Sequence, residues 1–289
     1  MVAAVGQDPD VLGDNTMQQL KRPVEQTDPP RSARETLPTM YDLPSEDPEE
    51  PGLPDVGDSP PRGVYHYLQP HLLSATLQLT TYAADEVFSV GDMNLYYDVD
   101  HPLWHKRPDW FAAVGVPRLY EGRDMRLSYV VWQERVNPFV VVELLSPGTE
   151  KEDLGQTERA PGTPPTKWEV YEQILRVPYY ILFDRYTNNL RAFRLVGGHY
   201  QPLDFTNQRI QIPEWQISLG VWQGSYEGIE RLWLRWFNAE ERLILSAEER
   251  AEQAEERAEQ AEGQASQAEE RASRLAERLR ELGIDPSEV

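Results

Sequence analysis

The sequence predicts a mixed α/β domain with a central sheet, framed by an acidic, proline-rich front and a long heptad helix. Three observations point there. Between residues 61 and 239, short apolar or alternating runs bounded by Pro, Gly and Asp are interleaved with helical patterns. The first sixty residues hold 10 of the 24 prolines, with 13 acidic and 4 basic side chains. The last fifty repeat apolar residues at alternating intervals of 4 and 3. The expected division is therefore 1–60, 61–239 and 240–289.

At the front, Leu43-Pro-Ser-Glu-Asp-Pro-Glu-Glu-Pro-Gly-Leu-Pro-Asp55 has too little apolar content to offset its ordering entropy. Residues 1–40 are expected to be disordered and 41–63 extended. In the middle, Asp92–Asp98 alternates and reads as a strand with one polar face. Asp109–Gly115, entered through Pro108, is a second strand, and Ser128–Gln133 a third. Phe139–Leu145 is nearly continuous in apolar residues, as in a strand covered on both faces, and Ser146-Pro147-Gly148 should stop it. Lys167–Arg176 reads as a helix capped by Thr166 and ended by Pro178, with Val170, Tyr171, Ile174 and Leu175 as its apolar stripe. Tyr179–Asp184 is another buried strand. Leu190–Val196, Gly197-Gly198 and His199-Tyr200 form a hairpin, residues 210–222 add one or two strands, and Ile229–Phe237 is expected to be a helix.

The tail places Ala247, Ala251, Ala254, Ala258, Ala261, Ala265, Ala268, Ala272, Leu275, Leu279 and Leu282 on one heptad seam. Ala buries little area, so Leu275 to Leu282 should hold any pairing best, with Gly283 and Pro286 closing the helix. A solvated single helix laced by Glu–Arg pairs and a self-associating coiled coil both fit.

Composition narrows the function. The 289 residues include 8 Trp and 14 Tyr, ample for a core, and no Cys, which excludes disulfides, a thiol nucleophile and Cys-ligated metal. No apolar run approaches the roughly 18 residues that span a bilayer. Asp8, Asp10 and Asp14 stand where a signal peptide would be basic, so a reducing cytoplasm is expected. The net charge of −21 argues against nucleic acid until it is divided: the front carries −9, the tail −8, and residues 61–239 only −4. A local cationic track is therefore compatible with the chain. His105, Lys106, Arg107, Arg118, Arg123, Arg126 and Arg135 supply cations around the Asp109 strand, interleaved with Trp104, Trp110 and Tyr120.

Glu143 is the anomaly. It lies inside the most apolar strand, where an unpaired carboxylate costs several kcal/mol and must be paired, protonated or bound to a cation. Asp109 opens a neighbouring strand and can sit at a sheet end beside it. Two carboxylates with waters and a phosphate oxygen suit Mg²⁺, which activates water and neutralises charge on a phosphoryl group. A lysine two positions after the Glu would share its strand face, but that position is Leu145. Lys167, on the sheet side of the next helix, can replace it, and Lys151 competes from the connecting segment.

Asp92-Met-Asn-Leu-Tyr-Tyr, Arg107-Pro-Asp-Trp-Phe, Val141-Val-Glu-Leu-Leu-Ser-Pro-Gly-Thr149 and Lys167 with Tyr171 ahead of Val177-Pro178-Tyr-Tyr-Ile together resemble the Uma-two family over about residues 80–200. That family comprises restriction-type endonucleases of the PD-(D/E)XK fold. The resemblance implies a restriction-endonuclease-like core with a central mixed β-sheet flanked by helices. It also implies metal ligation by Asp109 and Glu143, with Asp92 auxiliary, and Lys167 as the relocated lysine. Residues 155–166 look like an insertion between the Glu strand and the Lys helix. The family's acidic N-terminal helix has no clear counterpart, with Glu86 its nearest candidate. The expected function is a Mg²⁺- or Mn²⁺-dependent DNA endonuclease, assembled as a homo-oligomer through its tail and not membrane-bound. The alternative is a nuclease-like interaction protein, weakly active or inactive, working through its front and tail.

Overall fold

The computed structural model describes residues 32–40, 42–43, 64–145, 150–160, 162–205 and 208–281. The chain divides into two compact units, Met1–Leu243 and Ile244–Val289.

The first unit is mixed α/β. Its helices are α1 (Ala33–Thr36), α2 (Val64–Thr76), α3 (Val131–Glu134), α4 (Glu150–Asp153) and α5 (Lys167–Glu169), which continues as a π turn over Val170–Ile174. Its strands are β1 (Val87–Gly91), β2 (Leu95–Tyr96), β3 (His105–Lys106), β4 (Trp110–Val114), β5 (Tyr129–Val130), β6 (Val140–Leu145), β7 (Tyr179–Asp184), β8 (Asn189–Val196), β9 (His199–Pro202), β10 (Arg209–Ile212), β11 (Ile217–Tyr226) and β12 (Ile229–Phe237). Among the described residues these form a six-stranded sheet ordered β1-β4-β6-β7-β8-β9 and two three-stranded sheets, β10-β11-β12 and β3-β2-β5. The β6–β7 pair is parallel and the other pairs of the large sheet are antiparallel. Central β6 is buried at every position, as its apolar run requires.

Alternation divides the large sheet into two faces. Phe111, Ala113, Val141 and Leu145 join Val170, Tyr171, Leu175, Tyr180 and Tyr200 in one core cluster. On the other parity, Trp110 reaches Trp236 of β12 with ring centroids 5.8 Å apart, and its indole N–H donates to Ser74 of α2. The Gln69 side chain fastens α2 to β12, accepting from the Leu234 N–H at 2.8 Å and donating to the Leu234 carbonyl at 2.9 Å.

Several expectations are corrected. Ile229–Phe237 is a strand, not a helix: it pairs with β11 over nine registered positions and buries Trp233, Leu234, Trp236 and Phe237. The predicted strand at 92–98 narrows to Leu95–Tyr96. The one at 128–133 is two strand residues followed by α3. Within the Lys167 helix, Ile174 is exposed, because the π turn rotates it away from the sheet. Part of the front is ordered. Met40 and Leu43 are buried against Tyr96, Tyr120 and Val130, and the Trp132 indole donates to the Pro38 carbonyl. The remaining expectations for the front, the stop at Ser146–Gly148 and the helix end at Leu282–Pro286 lie outside the described residues.

The second unit contains α6 (Ala247–Glu281), 35 residues long. Ser246 and Glu249 cap it reciprocally: the Ser246 N–H donates to the Glu249 carboxylate at 2.7 Å, and the Glu249 N–H to the Ser246 hydroxyl at 3.1 Å. No residue of α6 is buried, and Arg274–Glu270 and Arg278–Glu281 pair along its surface.

Candidate active site

The antiparallel register of β4 on β6 ends at Trp110 opposite Val142. One step further brings Asp109 opposite Glu143, with both side chains on the parity of Phe111 and Val141. The two acids meet there. The Asp109 N–H lies 3.4 Å from Glu143 Oε2, and Asp109 Oδ2 accepts from the Leu144 N–H at 2.7 Å. Each acid is thus fastened to the other's strand.

Lys167 arrives from the start of α5. The Thr166 hydroxyl and the Glu169 carboxylate cap this helix reciprocally, which fixes its first turn. Trp168 docks it onto the sheet, edge-on to Phe193, Tyr200 and Tyr180 with centroids 5.0, 5.2 and 5.8 Å away. The same indole covers Gly155, whose φ is +67°, and a Cβ there would come within 2.8 Å of the ring. Only glycine lets the connecting chain turn back this closely. Lys167 Nζ consequently sits 3.1 Å from Glu143 Oε2 and 2.8 Å from Asp153 Oδ1. The Tyr171 hydroxyl donates to Glu143 Oε1 at 2.8 Å, and the Tyr180 hydroxyl to the Asp153 carbonyl at 2.9 Å. On the far side of Asp109, His66 Nδ1 of α2 lies 3.4 Å from Oδ1.

Burial dominates the electrostatics. Glu143 is 1% exposed, and desolvation pushes its pKa up to about 8. Lys167 and the Tyr171 hydroxyl oppose that shift, while the negative charges of Asp109 and Asp153 add to it. Asp153 is raised for the same first reason. For Asp109, burial pushes upward, but the His66 hydrogen bond, the Lys167 charge and the Leu144 N–H outweigh it and hold the acid below its ordinary value. Lys167 is also desolvated, yet the three surrounding carboxylates hold its pKa far above the usual lysine range. It therefore keeps its proton.

The structure thus brings Asp109, Glu143 and Lys167 together. Asp92 stands apart from this contact set: it takes a positive φ of 55° and pairs with the Arg107 guanidinium at 2.8 Å, although it borders the same cavity as Asp109. Lys151 lies exposed on α4, and Glu86 closes a 3-10 turn at Ala84–Glu86. Of the predicted cations, Arg126 is buried against Glu134, and Lys106 lies 3.4 Å from Glu152. Sequence reasoning missed Asp153, His66 and the polar role of Tyr171. The available signal was that Tyr171 shares the sheet-facing side of its helix with Lys167.

The donor set can be tested for a cation. Glu143 and Asp153 contact the Lys167 ammonium and Asp109 lies within its field, and a cation entering this desolvated space would displace the proton that Glu143 otherwise keeps up to about pH 8. Asp109 and Glu143 offer hard oxygen ligands, the kind that divalent Mg²⁺ and Mn²⁺ take. Among the described residues no group of three or more His, Asp or Glu side chains forms a ready metal cage. The residues therefore fit a two-carboxylate site completed by water and substrate oxygens, and not an all-protein cage.

Comparison with known proteins agrees with the family resemblance. The family model described as "Uma2: Putative restriction endonuclease" matches residues 58–222, more than half of the chain. A search of curated proteins gives no match. Among solved structures, the chain is similar to a "putative nuclease belonging to DUF820" from Anabaena variabilis ATCC 29413. The two are 13% identical with a TM-score of 0.34, over 54% of this chain and 76% of that one.

Proposed function

This chain belongs to the Uma2 family, and we propose that it is an endonuclease that hydrolyses DNA phosphodiester bonds with Mg²⁺ or Mn²⁺. The observation that carries this reading is the meeting of Asp109 and Glu143 across the β4–β6 register, with the Lys167 ammonium on the Glu143 carboxylate.

In this reading Asp109 and Glu143 hold the cation from adjacent strands. When bound, it supplies Lewis-acid activation of water and neutralises charge on the phosphoryl group. Tyr171 fixes the rotation of the Glu143 carboxylate by occupying Oε1, and the Leu144 N–H does the same for Asp109. Lys167 stays protonated, so it acts as a fixed positive charge toward a phosphoryl oxygen and not as a general base. His66 borders Asp109 on the cavity side and limits its movement. Cutting both strands of a duplex takes two such centres, and the heptad seam of α6, none of whose residues is buried, suits pairing with a second copy of the chain.

The test is cleavage of supercoiled plasmid with Mg²⁺ or Mn²⁺, alongside calorimetric titration of Mn²⁺ into the full-length protein. Asp109→Asn and Glu143→Gln are each expected to lower cleavage by about 10³-fold or more and to abolish the calorimetric signal. Cleavage retained in both variants would remove the assigned centre, and wild-type protein that binds no cation would favour a nuclease-like fold kept for interaction alone.

A further inference from the structure

Beside Asp109, α2 and β1 enclose a cavity of about 370 Å³ whose wall includes His66, Tyr67, His71, Ser74 and Asp109. A second hollow of about 700 Å³ adjoins it, shares His71, Ser74 and Ser89, and is bordered by Arg118. The two share a wall along α2 and β1 and together are read as one trough, with a carboxylate of the proposed centre lining one part and an exposed arginine the other. Its inner wall is tight. A Cβ on Gly91 would collide with Pro70 of α2 and stand 3.0 Å from the Asp109 carbonyl.

The trough has an aromatic surface. Tyr67 is 73% exposed, unusual for a tyrosine on a helix whose neighbours Tyr65 and Leu68 are buried. Its ring lies nearly parallel to that of His71 one turn on, with planes 7° apart and centroids 6.3 Å apart. His71 is itself held in place, its Nδ1 2.7 Å from the Tyr226 hydroxyl. A prearranged, solvent-facing aromatic pair beside a phosphate-handling centre is the kind of surface on which a nucleobase stacks. A base inside a duplex already has both faces covered and cannot stack on such a pair without unstacking.

We propose, building on the nuclease reading, that this trough binds an unpaired nucleotide of the substrate strand, its base on Tyr67 and a neighbouring phosphate at Arg118. Single-stranded or frayed nucleic acid is then the preferred substrate class. The shared chemistry is base plus phosphate; DNA and RNA differ at the 2′ position of the sugar and in the thymine methyl group.

The test measures fluorescence anisotropy of labelled single-stranded DNA, single-stranded RNA and blunt duplex DNA with the full-length protein, in Ca²⁺. Wild type is expected to prefer a single strand to the duplex. Tyr67→Ala should weaken single-strand binding about tenfold, at the lower end of one base stack. Tyr67→Phe should retain it, and Tyr186→Ala, at an exposed tyrosine away from the trough, should leave it unchanged. Arg118→Ala should lower the salt slope by about one. Equal binding by wild type and Tyr67→Ala, a preference for blunt duplex, or no binding of any oligonucleotide would each overturn the proposal. Cleavage of the same oligonucleotides and of plasmid in Mg²⁺, run in parallel, separates the two readings. Cleavage with Tyr67-independent binding sinks the trough alone. Tyr67-dependent binding without cleavage sinks the nuclease reading and keeps the nucleotide site.

Discussion

Two clusters of buried charge lie in the same folded unit and are built on opposite plans. Arg126 and Glu134, with side chains 1% and 5% exposed, form a closed fork of Nε to Oε1 at 2.8 Å and Nη2 to Oε2 at 3.0 Å. The remaining nitrogen, Nη1, donates to the carbonyls of Pro117 and Arg118, and the guanidinium covers Phe88 at 4.6 Å. One cation meets one anion there. At the sheet end, three carboxylates share one ammonium, and the desolvated Glu143 carboxyl is driven up to about 8. Burial is common to both, so burial does not separate them. Stoichiometry does: with more acids than cations, the open cluster must hold a proton or, in the nuclease reading, a divalent cation, whereas the balanced pair fastens the fold.

Breaking the closed pair should give the largest effect. Glu134→Ala leaves Arg126 buried without its partner and is expected to cost about 3–5 kcal/mol in urea denaturation, with cation affinity unchanged. A loss of cation affinity in that variant would dissolve the distinction. Tyr171→Phe acts on the open cluster instead. Loss of the hydroxyl that orients Glu143 should weaken cation binding about 10–100-fold by calorimetry, with a stability change of only about 1 kcal/mol.

The smallest effect is a slope. Because the folded pKa of Glu143 lies above its ordinary 4.5, the folded metal-free protein holds this proton more tightly than the unfolded chain does. The stability contributed is complete below about 4.5 and is lost as pH rises through about 8. Asp153 acts in the same direction, while Asp109, held low, contributes stability that is lost only in acid. Urea midpoints of the metal-free protein should therefore decline between pH 5 and pH 8, and Glu143→Gln should flatten the decline. A slope unchanged in Glu143→Gln would assign it elsewhere.

The legibility of this molecule in its sequence follows the range of the forces involved. Glu143 stood out because a charge in a run of Val and Leu contradicts its neighbours, and that contradiction is local. Lys167 was found from the helical offset to Val170 and Tyr171. Asp153 was invisible: Glu150-Lys-Glu-Asp153 has the composition of any solvated turn, and only the folding-back at Gly155 makes the last acid 2% exposed. Tyr171 reads equally well as core, because its ring is buried and only its hydroxyl is chemical. Ile229–Phe237 misled because its apolar residues satisfy both periods, and the nine-position pairing with β11 is a non-local decision. His66 could not be assigned because its position beside Asp109 depends on how α2 lies against β1 and β12.

Lys167 stands at a helix entrance instead of two places along β6, and this separates two duties that a single strand would otherwise have to combine. Leu145 occupies the vacated position and is buried with the core cluster, so the strand gains cohesion where an amine would have cost it. The amine is set instead by the helix that carries it, which the Thr166–Glu169 cap and the Trp168 ring on Gly155 hold in place. The register of the acids and the reach of the amine are thereby held by different contacts, the one by strand pairing and the other by side-chain packing.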